Sequence, residues 1–465
     1  MLDASIEDPV ATAAKQWPDR VLLAQDDGDR YTASAFEAAV SQIAGGLHTA
    51  GIGASDRIAI FAEDRLDTIT LAYAIIRAGA TAVLVDEGPD LTDRLDAGEV
   101  SHAIADGGTP MVPDDISVLD LAHLEDADPI EGAELSPDRS ITLMFTSGTT
   151  GEPKPVVHTA SNHQAASKAA IAGLDLDRHD RWYVPLGLHH MGGFAPIIRC
   201  LPAGIPVILS DTTGPTDLAH RMHITEASVA SVVPTMVHRL VEQNTSVPSS
   251  LRCLLVGGAP LSETLYRRAR EDGWPIWASY GLTETVGQVA TAEPIDRDRY
   301  LGTVGRPLPG IEVQIIDTAG NDQPPSEVGR IEIIGETVSP SVIEHDRFVT
   351  ADIGHSDADG RLWVHGRADT VIQSGGELVH PQRIEAGLIA HPDIEDVAVI
   401  GLPDDEWGER VVAAVVGSAD DLDAWCADRF ATHERPKAFI AIEEIPRTAS
   451  GTVDRHELRD RFIDR

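Results

Sequence analysis

Lysine is almost missing from this sequence: only four of its 36 basic residues are lysines, at Lys15, Lys154, Lys168 and Lys437. Acidic residues number 75, and the formal net charge is −39. Like charge repels a phosphate backbone or an anionic lipid surface, so we expect no nucleic-acid partner and no membrane partner. An acid excess spread along the chain, with arginine in place of lysine, is typical of a salt-rich cytosol whose counterions screen self-repulsion. We therefore expect a halophilic protein.

Long apolar runs are missing as well. No run approaches the ~18 residues that a membrane-spanning helix needs. The N-terminal stretch MLDASIEDPVATAAKQWPDR is acidic and lacks an apolar core, so we expect no secretory signal. Cysteine occurs three times, at Cys200, Cys253 and Cys426, with none of the spacings of a metal or redox site, which favours buried, reduced thiols. We therefore place the protein in the cytoplasm.

Between about residues 55 and 290, short apolar runs alternate with amphipathic segments. RIAIFA, TAVLVD, ITLMFT, IPVILS, ASVASVV and LRCLLVGG predict buried strands, and LDTITLAYAIIRAGA and PTMVHRLVEQ predict helices. This alternation predicts an α/β fold with largely parallel sheets and with ligands at the carboxyl ends of the strands.

The pattern changes after residue 300. GIEVQIID, GRIEIIG and RLWVHGR alternate with a period of two and predict a small β-rich subdomain over about 300–367. From 368 a small α+β unit follows, with PQRIEAGLIA and 420–432 as helices and DVAVIGL, VVAAVVG and AFIAIEEI as strands. We expect a large N-terminal domain over 1–367 and a small, mobile C-terminal domain over 368–465.

The segment FTSGTTGEPK, residues 145–154, follows directly on a predicted strand. Gly148 and Gly151 would let backbone amides approach an anion, and Lys154 would add a compact positive charge. Its hydroxyl donors are Thr146, Ser147, Thr149 and Thr150. We interpret the segment as a cradle for a polyphosphate. It is not a Walker A loop, because Pro153 and Pro155 flank the lysine. A flexible surface loop is the alternative for the bare SGTTG.

Four further segments follow in a recognisable order: YGLTET (280–285), GRPLPG (305–310), TADIG with GRLWVHGRADTVIQSGGELVHPQRIE (350–385), and PRTASGTVDRHELR (446–459). Together with FTSGTTGEPK they resemble the motifs of the adenylate-forming superfamily of acyl-CoA synthetases, adenylation domains and luciferases. The resemblance covers essentially the whole chain. It implies an enzyme that uses ATP and Mg²⁺ to join a carboxylic acid to AMP, releases pyrophosphate, and passes the acyl group to coenzyme A.

The same resemblance implies an adenine site. Tyr280 would present its flat face to the base, with Gly281 beside it and with Gly258 and Ala259 as backbone neighbours. Outside such a motif, a tyrosine before a glycine is more often part of a core.

The resemblance also implies phosphate, metal and ribose contacts. Thr283 would hydrogen-bond the α-phosphate, and Glu284 would bind Mg²⁺, which prefers a carboxylate plus nucleotide phosphates. Asp352 would accept hydrogen bonds from the ribose hydroxyls, and Arg367 would reach the same sugar. Without the motifs, Glu284, Asp352 and Arg367 would be interpreted as solvated surface charges.

Asp369 matches the hinge position of the family, which implies two orientations of the C-terminal domain. In the second orientation, Gly375 and Gly376 would line a tunnel for the pantetheine arm of coenzyme A, and Trp407 would contact coenzyme A. A core tryptophan is the competing interpretation of Trp407.

One position departs from the pattern. The family has a catalytic lysine in its terminal motif where this chain has Thr452, and threonine supplies no positive charge. Three explanations stay open: Arg447, Arg455 or Lys437 takes over from a shifted position, adenylation is slow but sufficient, or the chain is a nucleotide- or acyl-binding protein with impaired adenylation.

The acid itself is less clearly indicated. In PLGLHHMGGFAP, His190 aligns best with the histidine that walls the acyl pocket of the family, and His189 is the alternative. Gly257 and Ala259 are small enough to leave room for a ring. The compact length, HMGG and Gln288 are most similar to ligases of menaquinone biosynthesis, whose aromatic dicarboxylate would need a second cation or several donors in the pocket. Another aryl- or medium-chain acyl-CoA ligase is the alternative, and a homodimer is left open.

Overall fold

The computed structural model describes residues 5–26, 28–62, 64–88, 90–105, 112–147, 153–210, 217–345, 347–389, 391, 393–404, 406–418, 422–427, 429–447 and 453–463. The helices formed by these residues are α1 (Pro9–Gln16), α2 (Ala33–Thr49), α3 (Arg65–Ala78), α4 (Leu91–Ala97), α5 (Leu121–Leu124), α6 (Ala160–Gly173), α7 (Met191–Cys200), α8 (Leu218–Ile224), α9 (Pro234–Glu242), α10 (Glu263–Glu271), α11 (Pro294–Arg299), α12 (Pro381–Leu388), α13 (Leu422–Ala427) and α14 (Arg455–Phe462).

The strands in the same residues are β1 (Val21–Gln25), β2 (Arg30–Thr32), β3 (Arg57–Phe61), β4 (Thr81–Leu84), β5 (His102–Ala105), β6 (Ser117–Asp120), β7 (Ser140–Ser147), β8 (Pro153–Thr159), β9 (Trp182–Val184), β10 (Val207–Leu209), β11 (Val229–Val232), β12 (Cys253–Val256), β13 (Ile276–Leu282), β14 (Gly287–Ala292), β15 (Arg306–Pro307), β16 (Glu312–Ile316), β17 (Gly329–Ile334), β18 (Phe348–Ser356), β19 (Leu362–Arg367), β20 (Ile372–Ser374), β21 (Glu377–Val379), β22 (Ile394–Asp404), β23 (Gly408–Gly417) and β24 (Ala438–Ala441).

A six-stranded sheet has the order β6-β5-β3-β4-β7-β8. Its neighbours are parallel except for β7 and β8, which form an antiparallel pair at one edge. Strands β3, β4 and β5 are apolar and largely buried, whereas the edge strand β6 is mostly exposed. Helix α3 is capped by Asp64 at its start and by Gly79 after its end, and few other residues adopt the φ of 112° at Gly79.

A nine-stranded sheet has the order β15-β14-β13-β12-β11-β9-β10-β1-β2. Its middle strands are parallel, and β13–β14, β14–β15 and β1–β2 are antiparallel. Trp182 and Trp274 are fully buried against this sheet. The carboxyl end of β13 leads into a short 3-10 turn over Thr283–Thr285, so a predicted ligand motif ends up at the edge where ligands of parallel sheets bind.

Two smaller sheets complete the fold. The antiparallel sheet β16-β17-β18-β19 is the predicted β-rich unit. The last sheet, β21-β20-β23-β22 with β24 beside β23, packs with α12 and α13 around its own apolar core. The predicted α/β class, with a large N-terminal part, a small β-rich unit and a smaller α+β part, is confirmed.

All three cysteines are buried and unpaired, as predicted. Across the residues described above, no helix has both the length and the apolarity to cross a bilayer.

Candidate active site

The predicted phosphate segment is a hairpin rather than a simple loop. β7 continues to Ser147 and β8 begins at Pro153, with Thr146 paired to Lys154. Prolines are tolerated here because β8 is an edge strand, which needs no partner on its outer side. The side chain of Lys154 is exposed beside the hairpin's open end. The predicted residues Gly148, Thr149, Thr150 and Gly151 lie outside the described residues.

Tyr280 and Asp352 lie together although 72 positions separate them. The Tyr280 hydroxyl donates a 2.7 Å hydrogen bond to Oδ2 of Asp352, and both residues are buried. Burial raises the pKa of Asp352, and the Tyr280 hydrogen bond opposes that shift. Burial, with the nearby Asp352 charge, raises the pKa of Tyr280 well above its ordinary value. The pair thus joins the predicted adenine and ribose positions in one site.

Arg367 stands opposite Asp352 in the β18–β19 register. Its guanidinium makes two hydrogen bonds to Asp369, Nε to Oδ1 at 3.0 Å and Nη2 to Oδ2 at 2.7 Å. The bidentate pair raises the pKa of Arg367. The predicted ribose contact and the predicted hinge residue therefore hold each other directly.

Glu284 occupies the 3-10 turn that follows β13, and close packing fixes where this turn begins. A Cβ on Gly281 would lie 2.3 Å from the Gly287 carbonyl oxygen, so only glycine fits between β13 and β14. Burial raises the pKa of Glu284, with Asp352 adding to the shift, while Arg367 and Lys154 oppose it. Lys154 and Asp352, the predicted phosphate and ribose contacts, thus lie close enough to the predicted metal ligand Glu284 to shift its pKa.

This electrostatic setting suits a magnesium ion. A half-buried carboxylate whose charged form is disfavoured gains from a nearby cation. Within the described ranges no group of three His, Cys, Asp or Glu residues could hold a metal by itself. Mg²⁺ often binds one carboxylate and completes its shell with nucleotide phosphates and water, so Glu284 fits that role.

Gly258 and Ala259 follow the carboxyl end of β12. The adjacent Gly257 approaches Ser279 closely, since its Cβ would stand 3.3 Å from the Ser279 carbonyl oxygen. Ser279 directly precedes Tyr280 on β13. The segment therefore approaches β13 at Gly257, whereas a Cβ on Gly258 would meet Val233 at 3.5 Å, and the adenine contact of Gly258 and Ala259 stays a prediction.

His190 precedes α7 and contacts His189. Their Nε2 atoms are 3.1 Å apart, so one ring donates a hydrogen bond to the other. Burial, with a smaller contribution from the His189 ring, lowers the pKa of His190 to about 4. Both candidates for the pocket histidine are thus side by side, and His190 is uncharged at neutral pH.

Arg199 is a residue that the sequence reasoning missed. It lies two turns along α7 from Met191 and is only 3% exposed. Its Nη1 donates to Oε1 of Gln288 at 2.6 Å and its Nη2 to the Val286 carbonyl at 3.3 Å, whereas its buried Nε has no partner. A Cβ on Gly287, the residue after Val286, would stand 2.7 Å from Nη2. The guanidinium thus faces the corner between α7 and β14.

This arginine lacks a balancing negative charge. Its side-chain hydrogen bonds go to neutral oxygens, and in the portion of the chain described here no carboxylate shifts the pKa of Arg199. Burial lowers the pKa of Arg199 to about 10, so it stays charged at neutral pH. A buried cation without a counter-charge is costly, and an anionic ligand would relieve that cost. The available signal was one arginine inside the apolar segment APIIRCL.

Gly375 and Trp407 are neighbours in the C-terminal part of the chain. The Gly375 amide donates to the Trp407 carbonyl at 2.8 Å, and a Cβ on Gly375 would lie 2.9 Å from the indole ring. Lys437 lies over the same ring at 4.3 Å. Gly376 has nothing within 4 Å of the place where its Cβ would stand. The half-buried Trp407 therefore borders the predicted glycine tunnel.

Thr452 lies outside the described residues, but two of the arginines considered as its replacement can be placed. Arg447 makes two hydrogen bonds to Asp396, at 2.7 and 3.0 Å. Arg455 bonds to Glu385 at 2.5 Å. In this conformation both guanidiniums are thus already engaged by carboxylates of the C-terminal part.

Comparison with known proteins places this geometry in a family. Residues 10–341 match the model of the AMP-binding enzyme family, and residues 383–452 match the model of its C-terminal domain. The 2-succinylbenzoate–CoA ligase of Bacillus licheniformis is 31% identical over 96% of this chain and 98% of its own length, and that of Bacillus subtilis is 31% identical over 96% of both chains.

Solved structures agree with the sequence matches. The o-succinylbenzoate CoA synthetase of B. subtilis in complex with the acyl-adenylate intermediate superposes with a TM-score of 0.91 at 29% identity, covering 98% of this chain and 99% of that one. The same B. subtilis protein in complex with ATP and magnesium superposes with a TM-score of 0.90 at 28% identity, covering 98% of this chain and 100% of that one.

Proposed function

This chain belongs to the AMP-binding enzyme family, and on that premise we propose that it is an AMP-forming acid–CoA ligase whose acid is 2-succinylbenzoate. In the first step a carboxylate oxygen of the acid attacks the α-phosphorus of ATP, the bond to the β-phosphate breaks, and pyrophosphate leaves. In the second step the sulfur of coenzyme A attacks the acyl carbon, the bond to AMP breaks, and the thiol proton passes to solvent.

The nucleotide would lie across the residues that the fold brings together. Tyr280 packs against adenine, and Asp352 and Arg367 bind the ribose. Lys154 and the hydroxyls of its hairpin hold the phosphates, and Glu284 holds Mg²⁺ against them, where the ion would neutralise developing phosphate charge. The raised pKa of Glu284 supports this assignment, since a cation at this point would restore a favourable setting for its charge. Thr283, next to Glu284, would donate to the α-phosphate.

Two domains would divide the two steps. Residues 1–367 bind the nucleotide and acid, and residues 368–465 rotate about Asp369 between the steps. The bidentate contact of Arg367 with Asp369 supports a link between sugar binding and the hinge. In the second orientation Gly375, Gly376 and Trp407 would receive the pantetheine arm.

Arg199 is the observation that carries the choice of acid. The single carboxylate of a monocarboxylic acid attacks the α-phosphorus, so the buried guanidinium of Arg199 would have no counter-charge. An aromatic dicarboxylate has a second carboxylate for Arg199, and charge-assisted bidentate hydrogen bonds suit that pair. Neutral His190 at the start of the same helix would wall the pocket without competing for the anion.

The test is acyl-CoA formation at high salt with 2-succinylbenzoate, benzoate, coumarate and hexanoate, together with ATP–pyrophosphate exchange for each acid. We expect 2-succinylbenzoate to give the highest kcat/KM. A preference for one of the three monocarboxylic acids would instead establish another acyl-CoA ligase. Absence of both exchange and acyl-CoA with every acid would leave a nucleotide- or acyl-binding protein, as the missing lysine at Thr452 allows.

We further propose that the enzyme works in a salt-rich cytoplasm. A net charge of −39 repels itself in dilute buffer, and counterions at molar concentration screen that repulsion within about 3 Å. Activity and melting temperature should therefore rise as KCl is added from 0.1 to several molar. Highest activity in dilute buffer would contradict this. Light scattering in the same buffers would determine whether the chain is a homodimer.

A further inference from the structure

A chain of buried hydrogen bonds runs from α6 to the Thr283–Glu284 turn. His163 on α6 lies 2.8 Å from the hydroxyl of Thr142 on β7, and this hydroxyl lies 3.2 Å from Nδ1 of His158 on β8. Nε2 of His158 then lies 2.7 Å from the Thr283 carbonyl oxygen. Thr142 and His158 are fully buried, and His163 is 7% exposed.

The donor and acceptor properties of these groups fix the direction of every hydrogen bond in the row from His163 to Thr283. A carbonyl only accepts, so Nε2 of His158 carries the proton and donates to Thr283. In the neutral ring Nδ1 is then an acceptor, which takes the Thr142 hydroxyl proton. The Thr142 oxygen in turn accepts from Nε2–H of His163. Burial lowers the pKa of His158 to about 4, which keeps this neutral tautomer through the physiological range.

A second contact ties the same turn to the same strand. The Ser339 amide donates to the Glu284 carbonyl at 2.8 Å, and the Ser339 hydroxyl donates to the Val157 carbonyl on β8. The Thr283 carbonyl is therefore held by His158 on β8, and the Glu284 carbonyl is held by Ser339, which is itself bonded to β8.

Strand β8 also carries Lys154. Residues 154 and 158 differ by an even number, so their side chains share one face of the strand, about 13 Å apart along it. Fixing the turn to His158 thus fixes the distance between the lysine and Glu284, which already interact electrostatically.

We infer that His158 is a positioning residue for adenylation, holding the Thr283–Glu284 turn in register with the strand that carries Lys154. The inference rests on the proposed function. Its physical basis is that one directed, water-excluded hydrogen bond from a stiff ring sets the carbonyl position far more tightly than a solvated contact would. His158 is fully buried and its two ring nitrogens bond to the Thr142 hydroxyl and the Thr283 carbonyl, so it would act through the turn.

Three variants separate positioning from general stability. His158→Leu removes the donor, whereas His158→Gln places an amide N–H near the position of Nε2 and keeps the donor to Thr283. Tyr266→Phe is the control, because it removes a hydroxyl that bonds to Asp298 on α11 at 2.6 Å and, among the described residues, makes no hydrogen bond to the Thr283–Thr285 turn. All three are first compared for folding by circular dichroism and thermal melting.

The readouts are the Mg²⁺ dependence of ATP–pyrophosphate exchange and, separately, thioesterification of a premade acyl-adenylate. A misplacement of about 1 Å costs up to ~100-fold, so His158→Leu should slow exchange about tenfold to 100-fold and raise the Mg²⁺ concentration for half-maximal rate. Thioesterification should change less than about twofold. His158→Gln should recover most of the exchange rate, and Tyr266→Phe should lower only the melting temperature.

Equal losses in both half-reactions, or a glutamine variant as slow as the leucine variant, would overturn the inference. So would a folded leucine variant with unchanged exchange. If the wild-type protein shows no exchange, the proposed function fails. Calorimetric titration with Mg²⁺·ATP then still tests His158, because affinity should weaken in the leucine variant and not in the glutamine variant, and equal affinities would overturn the inference.

Discussion

Replacing Arg199 with glutamine should convert a dicarboxylate-selective pocket into one that no longer recognises the second carboxylate. The guanidinium is 3% exposed, and its hydrogen bonds go to the Gln288 side chain and the Val286 carbonyl. Losing one partner of a buried, hydrogen-bonded charge pair costs about 2–5 kcal/mol. Since about 1.4 kcal/mol is tenfold, kcat/KM for 2-succinylbenzoate should fall about 30-fold to 4,000-fold.

The assay compares two acids on two enzymes. The second acid is 4-oxo-4-phenylbutanoate, which equals 2-succinylbenzoate without its ring carboxylate. Wild-type protein should strongly prefer the dicarboxylate, and Arg199→Gln should use the two acids with similar kcat/KM. These four kcat/KM values form a double-mutant-type cycle, which separates the contact between the ring carboxylate and Arg199 from all other effects of the substitution.

Arg297→Gln is the control for losing a buried arginine. Arg297 is also 3% exposed, donates to the backbone carbonyls of Thr303 and Leu261, and lies over the Tyr266 ring. It should destabilise the fold and leave the ratio of the two acids unchanged. If Arg199→Gln lowers kcat/KM for both acids by the same factor, Arg199 does not meet the second carboxylate and the reasoning fails.

Three further results are expected. Thr452→Lys should speed adenylation by up to about 10²- to 10³-fold, because it restores a preorganised cation. Stopped-flow measurement should find thioesterification nearly unchanged. An equal gain in both steps would contradict a role of position 452 in adenylation. Gly375→Ala should slow thioesterification more than Gly376→Ala. Both glycines have a positive φ, but an added Cβ would lie 2.9 Å from the Trp407 ring at Gly375, where φ is +61°, and would meet nothing at Gly376. Equal rates in the two variants would mean that Trp407 does not limit the tunnel. Finally, the folded-state pKa of His158, about 4, lies below its unfolded value of about 6.5, so the unfolded chain takes up this proton first and stability is lost as pH falls between these values. Urea titrations at pH 7 and pH 4 should show the wild type losing on the order of 3 kcal/mol more than His158→Gln, and parallel losses would refute the assignment.

Much of the fold could be predicted from local pattern. RIAIFA, ITLMFT and LRCLLVGG are strands β3, β7 and β12 with small shifts at their ends, because runs this short and apolar fit only a buried sheet. The sequence predicts one helix over 420–432, but among the described residues of that segment Leu422–Ala427 form α13 and 429–432 are not helical. Local periodicity sets the type of an element better than its ends, which depend on tertiary contacts.

The candidate nucleotide-site residues could be named from the sequence because each belongs to a motif, and the fold does bring Tyr280, Asp352, Arg367 and Glu284 together. Arg199 and His158 could not. Their roles depend on partners 89 and 125 positions away, namely Gln288 and Thr283, and no local pattern encodes such distances. In a chain with 32 arginines, one more arginine also gives little signal.

Covalent chemistry could exploit the exposed amine on β8. An amine-selective reagent would find only four lysine side chains in the whole protein. Lys168 bonds to Gln164, Lys437 lies over Trp407, and Lys15 and Lys154 are both exposed, but of the four only Lys154 belongs to the predicted phosphate site. An acylating probe built on a triphosphate would thus be steered to one amine, and a label fixed there would sit at the mouth of the nucleotide site without any engineered cysteine.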